Sequence, residues 1–232
     1  ALKGEYVVLS AHLDHVGTGR AVDGDTIYNG ALDNAAGIST MIEVARAFKN
    51  AKVKPRRSVI FLAVTAEEKG LVGADFFANN PTIEKSAIAA NVNLDMPLIL
   101  YNFADVIAFG AERSSLGPLV ADAAGKLGVA LSPDPLPEQN LFVRSDHYRF
   151  VQQGVPSVFL VTGFNAVGEE GKGGEIFRNF LSTHYHKPSD DLNLPIDFEA
   201  GAKFAKINYL IAQNVANADE RPSLSLIHIS EP

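Results

Sequence analysis

The sequence predicts an α/β protein with a doubly wound, mainly parallel sheet. Three observations carry that prediction. Short apolar runs recur along the chain as unbroken stretches rather than as alternating apolar and polar residues, the pattern of strands buried on both faces. Between them lie longer segments with apolar residues at helical spacing. The 232 residues, 47% hydrophobic and 20% charged, suit one large globular domain with its own core.

Taken in order, residues 6–11 form the first expected strand, an apolar and β-branched run after Gly4. Residues 34–50 carry Ile38, Met41, Ile42, Ala45 and Phe48 on one stripe and read as a helix. Residues 59–65 are the strongest strand, preceded by the basic Lys54-Pro55-Arg56-Arg57. A short helix is expected over 71–79, a third strand over 89–94 and a fourth over 105–109. The helix over 114–127 has Gly117-Pro118 near its start, where proline is tolerated. Residues 133–139 and the Gly- and Glu-rich 163–174 read as loops around a fifth strand at 157–162. The longest helix spans 197–217, with Asp197 as its N-cap but Ala200 where a capping box needs Glu or Gln. No internal repeat is visible. Asp219-Glu220-Arg221-Pro222 reads as the end of the domain, so residues 1–222 are expected to form it and 223–232 to be a non-native tail.

Composition excludes several classes of function. Lys and Arg number 20 against 27 Asp and Glu, a net charge of −7, so the basic surplus of a nucleic-acid binder is missing. There is no cysteine, hence no disulfide, thiolate metal site or cysteine nucleophile. Any zinc must be held by His, Asp and Glu. Apolar runs such as residues 59–64 fall far short of the roughly 20 residues a spanning helix needs, and no signal peptide is visible.

The residues able to do chemistry cluster where expected strands end. His12-Leu13-Asp14-His15 closes the first strand, and His12 and Asp14 share a face of extended chain. A carboxylate beside a histidine fixes its second ring nitrogen and so favours metal binding. Asp33, in Leu32-Asp33-Asn34-Ala35-Ala36-Gly37, stands at a helix start, as an N-cap or as a metal ligand. Glu67 and Glu68 follow the strongest strand, where α/β sites form. One of them can bind a metal while the other acts as a base, or both can simply favour the helix dipole. Asp95 ends the Asn91-Val92-Asn93-Leu94 run. His184-Tyr185-His186-Lys187-Pro188-Ser189-Asp190-Asp191 offers two histidines and two carboxylates in a late polar loop, and Arg144-Ser145-Asp146-His147 precedes the fifth strand. Each cluster alone fits an ordinary solvated turn or loop. Together they bring oxygen and imidazole donors toward one sheet edge, the donor set of a hydrolytic zinc centre.

The order H-x-D, L-D-N-A-A-G, A-E-E-x-G-L-x-G, N-L-D-M and Y-H-K-P-S-D-D resembles the co-catalytic dizinc aminopeptidase family, which includes bacterial leucyl-type aminopeptidases, glutamate carboxypeptidases and glutaminyl cyclases. The resemblance runs over residues 5–217. It implies a three-layer αβα fold with a mixed, mostly parallel central sheet. It also implies two zinc ions, other divalent metals being possible, with Asp33 bridging them, His12 and Asp95 completing one site, and Glu68 and His186 the other. His186 is preferred over His184 for its spacing to Asp190. Glu67 would be the general base acting on a water held between the metals, and Asp14 would orient His12. Met96, Phe142, Tyr148 and Phe164 are candidates for the substrate pocket.

The resemblance therefore implies a metal-dependent exopeptidase, in first place an aminopeptidase acting on peptide substrates. A carboxypeptidase or dipeptidase would need a cation for the substrate carboxylate, with Arg144 and Arg178 as candidates. Glutaminyl cyclase and a non-catalytic binding domain of the same fold are further alternatives. The first metal-bearing strand begins within ten residues of Ala1, whereas members of the family carry elements before it. The chain is thus expected to be N-terminally truncated. Export is common in the family, so a periplasmic or secreted location is expected.

Overall fold

A computed structural model describes residues 2–225. Eight strands and six helices alternate through them. The strands are β1 (Tyr6–His12), β2 (Gly17–Val22), β3 (Asp25–Tyr28), β4 (Ser58–Val64), β5 (Ile88–Asn93), β6 (Asp105–Phe109), β7 (Ala130–Leu131) and β8 (Ser157–Thr162). The helices are α1 (Ala36–Asn50), α2 (Val72–Asn79), α3 (Gly117–Gly125), α4 (His147–Gln152), α5 (Lys172–Thr183) and α6 (Phe198–Asn217). Six strands form one sheet in the order β4-β1-β5-β8-β6-β7, and β2 and β3 form a separate hairpin. β4, β1, β5 and β8 run parallel; β6 is antiparallel to β8, and β7 parallel to β6.

The unbroken apolar strands follow from cover on both faces. In β1, Val7, Leu9 and Ala11 join the larger core with Val44 and Phe48 of α1, Val120 of α3, Phe177 and Phe180 of α5, and Phe204 and Ile211 of α6. Val8 points the other way, onto Phe77 of α2 and Phe150 of α4. A strand whose alternate residues meet two helical layers cannot carry a polar face. The three-layer αβα arrangement follows. Around β6 and β8 a third cluster packs Ile107, Phe109, Phe159 and Val161 together.

The five expected strands are present with ends shifted by at most one residue. Other elements differ from expectation. α5 begins inside the stretch 163–174 and buries Phe177 and Phe180. α3 is shorter than 114–127, because the chain before it pairs with another segment. The Ser115 N–H donates to the Ser223 carbonyl at 2.9 Å, and the Ser225 N–H to Arg113 at 2.8 Å. Residues 223–225, the start of the expected tail, are thus bonded to the domain; residues 226–232 lie outside the described residues. Asp197 caps α6, accepting the Ala200 N–H at 2.9 Å. No helix among the described residues is long and apolar enough to cross a membrane.

Parallel register brings the strand ends level. His12 pairs with Val64 and Ser10 with Asn93, so β1, β4 and β5 finish side by side. The residues leaving those three ends are His12, Glu67-Glu68 and Asp95.

Candidate metal centre

Five side chains from five segments meet at this edge: His12 at the end of β1, Asp33 just before α1, Glu68 after β4, Asp95 after β5, and His186 after α5. His12 Nε2 lies 3.1 Å from Asp95 Oδ1 and 3.4 Å from Asp33 Oδ1. His186 Nε2 lies 3.3 Å from Asp33 Oδ2 and 3.1 Å from Glu68 Oε2. The two oxygens of Asp33 therefore face different histidines, which is the geometry of a carboxylate shared between two cation positions. Sharp turns deliver these groups. Ala66, Met96 and His186 all adopt left-handed backbone, with φ of 57°, 40° and 54°. Such conformations cost of order 1–3 kcal/mol each in a non-glycine residue and persist where the surrounding fold enforces them.

Surrounding hydrogen bonds hold the cluster. His12 Nδ1 donates to the Asp14 main-chain carbonyl at 3.0 Å, which leaves Nε2 to face Asp33 and Asp95. The Asp14 carboxylate stands farther off, 3.8 Å from His12 Nδ1. It accepts the Glu67 and Glu68 N–H groups at 3.1 and 3.3 Å and so fixes the turn that carries both glutamates. The wholly buried Asp190 does the same for Asp33, accepting the Leu32 and Asp33 N–H groups at 2.9 and 3.0 Å. Asn34 accepts the Gly37 N–H at the start of α1, so capping falls to Asn34 and the Asp33 carboxylate turns to the cluster. Asp95 ends a buried chain of hydrogen bonds. Asn91 Nδ2 donates to Ser10 Oγ, Ser10 to Asn93 Oδ1, Asn93 Nδ2 to Ser145 Oγ, and Ser145 to Asp95 Oδ2 at 2.5 Å.

Packing so many ionisable groups together moves their proton affinities. Burial opposes a charge on His12, but its bonds to Asp33 and Asp95 outweigh burial and push it up to about 12. Burial opposes the charge on Asp33 too, yet His12 and His186 hold it well below the usual carboxylate range. Glu67 is near His12 but makes no hydrogen bond to it, and the attraction of His12 does not offset burial and the neighbouring carboxylates. Burial, aided by Asp95, pushes its carboxyl up to about 9. Burial and Asp95 likewise raise Asp146 to about 7. A buried carboxyl beside three carboxylates is the environment that tunes a general base, and it reverts to the charged form once cations enter.

The donors fit metal ions. Two ligands about 2.1 Å from one tetrahedral ion sit about 3.4 Å apart. The four imidazole–carboxylate separations above run from 3.1 to 3.4 Å. Oxygen and imidazole donors without thiolate are also those of hydrolytic metal centres. Two groups of donors within reach of one ion stand out among the described residues: His12, Glu67 and Asp95, and His15, Asp33 and Glu68.

The remaining candidates divide. Met96 lines a small pocket over the cluster together with Glu67, Arg144, Phe159 and Tyr185. Tyr148 lies outside that lining, edge-on to Phe142 with ring centroids 6.0 Å apart. Phe164 is placed elsewhere, tilted against Phe177 at 5.3 Å with the Arg178 guanidinium over its ring. Phe142 packs on the buried His147. His184 bonds to Ser189 and does not reach the carboxylates. Phe159 lies in none of the quoted motifs, and Tyr185 and Ser145 lie within two of them without an assigned part. Tyr185 had a signal in its position next to His186, on which its ring stacks at 3.8 Å. A larger cavity of about 470 Å³ lies between α1 and α6 but touches none of the five clustered side chains. Donor chemistry, rather than size, marks the site.

Known proteins resemble the chain over most of its length. The chain is 24% identical over 224 residues to a probable zinc metalloprotease of Pyrenophora tritici-repentis, an alignment covering 84% of this chain and 50% of that protein. It is 30% identical over 220 residues to leucine aminopeptidase 2 of Trichophyton rubrum, covering 89% of this chain and 41% of that one. Among solved structures, the LapA aminopeptidase of Legionella pneumophila superposes with a TM-score of 0.70 at 22% identity, over 94% of this chain and 53% of LapA. The chain thus spans about half the length of these relatives. The profile of Peptidase family M28 matches residues 2–212, nearly the whole sequence, and the chain belongs to that family.

Proposed function

We propose that the protein is a metal-dependent exopeptidase, an aminopeptidase that removes N-terminal residues from peptides. The observation that carries this reading is Asp33, one carboxylate whose two oxygens each face a different histidine–carboxylate pair. In this reading His12, Asp33 and Asp95 hold one zinc ion, and Asp33, Glu68 and His186 hold a second. Bound there, two zinc ions would polarise the scissile carbonyl and acidify a water, the chemistry of two-metal hydrolases.

The protein's own groups do the rest. Glu67 has no hydrogen-bonded cation, and its main chain is pinned by Asp14. It accepts a proton from the attacking water and passes it to the departing amine. The Tyr185 hydroxyl, kept protonated by burial, lines the same pocket and donates to the oxygen that gains charge as the carbonyl is attacked. Asp14, Asp190 and Ser145 hold Glu67, Asp33 and Asp95 in place. Met96 and Phe159 give the pocket an apolar wall for the side chain next to the scissile bond.

One observation favours a second reading within the same chemistry. Arg144 borders the pocket and is exposed, so it can hold a substrate carboxylate as a carboxypeptidase requires. Arg178 is engaged on Phe164 instead. Two peptides of one sequence separate the readings, one with a free amino terminus and an amidated carboxyl terminus, the other acetylated with a free carboxylate. The zinc-loaded protein should cleave only the first. Cleavage of only the second would establish the carboxypeptidase, and cleavage of neither with two zinc ions bound would refute both.

A further inference from the structure

His15 is drawn into the same cluster, although neither the His-x-Asp motif nor the five-residue donor set includes it. Its side chain is 5% exposed, and Nδ1 lies 2.8 Å from Glu68 Oε1 and 4.0 Å from Asp33 Oδ2. Its ring meets that of His186 edge-on, with centroids 5.6 Å apart. The fold makes room for it at Gly30. A Cβ there would come within 2.7 Å of His15 Cγ and 2.3 Å of the Asp33 carbonyl oxygen, and the φ of +67° suits glycine.

The short approach to Glu68 is not a hydrogen bond. Both ring nitrogens of His15 and Oε1 of Glu68 are buried without a hydrogen-bond partner among the described residues. Leaving a buried polar atom unpaired costs about 1–3 kcal/mol, and here three stand together. His15 Nδ1 and Glu68 Oε1 stand 2.8 Å apart with no hydrogen bond between them, and one cation reached by both would satisfy both. His15, Asp33 and Glu68 can each offer one atom to a common ion.

Resting on the two-metal reading above, we infer that His15 is an additional protein ligand of the second metal, which His15, Asp33, Glu68 and His186 would together enclose. The two positions then differ. The first has three protein ligands, His12, Asp33 and Asp95; the second has four and would take water or substrate only as a fifth ligand. The second ion would therefore be the more tightly held and the first the one open to exchange.

The test uses cobalt(II), which the same ligands accept. The chain is titrated with the ion, and the solvent-exchangeable imidazole N–H signals shifted by the bound paramagnetic ions are counted by proton NMR. The inference expects two equivalents bound and three such signals, from His12, His15 and His186. His15→Asn should remove one signal and weaken the tighter equivalent by more than the about 10–100-fold that loss of a merely supporting partner costs. Two equivalents bound with only two signals in the parent protein would overturn the inference and leave the two-metal reading intact. Uptake of one equivalent or none would overturn both. His15→Gln, read by the same NMR count, provides a second variant if the first fails to fold.

Discussion

Asp190 offers the sharpest test of how the site is built, because it touches no reacting atom yet holds the residue at the centre. Its carboxylate is wholly buried and accepts the Leu32 and Asp33 N–H groups at 2.9 and 3.0 Å. In Asp190→Asn one N–H keeps an amide oxygen, while the other faces an NH2 group. The loss is one charge-assisted bond, about 1.5–3 kcal/mol, plus a stranded buried N–H, about 1–3 kcal/mol. Burial already raises the Asp190 pKa, so part of its charge-based gain is spent on desolvation and the low end applies. A net destabilisation of about 2.5 kcal/mol follows, or a fall of about 5–10 °C in Tm for a domain of this size. Urea denaturation of the metal-free variant measures the first quantity. A metal titration measures the second consequence, weaker binding at both positions, because Asp33 serves both. A destabilisation below about 1 kcal/mol, or unchanged affinity for both ions, would refute the role of Asp190 as the support of Asp33.

Other outcomes follow from the same geometry. Tyr185→Phe should lower kcat by about 100-fold with KM little changed, the usual consequence of losing a donor to a developing oxyanion; steady-state kinetics check it. Arg57 is 1% exposed and donates to Glu5 and to the Val215 and Ala218 carbonyls at the end of α6, so Arg57→Ala should cost about 3–5 kcal/mol in urea denaturation. The metal-free protein should lose stability as pH rises from about 6.5 to 9. Glu67, His12 and His186 all bind protons more tightly folded than unfolded, so the unfolded chain releases protons that the folded one keeps. Metal ions displace those protons, so the rise in Tm on adding zinc should grow over the same interval. Thermal melts with and without zinc at several pH values check both, and a metal-free Tm that climbs with pH would contradict the placement of these groups.

Much of this architecture is legible in the sequence, for physical reasons. Strands such as residues 88–93 and 157–162 announce themselves because both faces are covered, whereas the apolar run 59–64 forms the edge strand and leaves Phe61 and Ala63 exposed. The groups at their ends stand out because ionisable residues directly after a buried parallel strand emerge at the carboxyl edge of the sheet, where α/β proteins build their sites. What stays hidden depends on context. The hairpin β2–β3 is mostly exposed and lacks an alternating apolar face, so Asp23-Gly24, a recognised hairpin turn pair, has no flanking pattern to support it. α5 begins among glycines, and only Phe177 and Phe180 betray its buried face. At the site, the motif residues are legible one by one. The Asp190 bond to the main chain of Asp33, the Ser145 bond to Asp95 and the approach of His15 to Glu68 join segments 50 to 157 positions apart or cross between loops, which no local pattern encodes. Phe164 shows the converse. An aromatic after a strand end suits a pocket wall, but the tertiary fold uses it to pack α5.

The central claim is that Glu67 moves the proton at a centre whose metals are held by other residues. Glu67→Gln, assayed for bound zinc and for hydrolysis of a peptide with a free amino terminus, addresses it most directly. Two zinc ions should be retained and turnover reduced by about 100-fold or more. Turnover within about tenfold of the parent, with both ions in place, would contradict the claim.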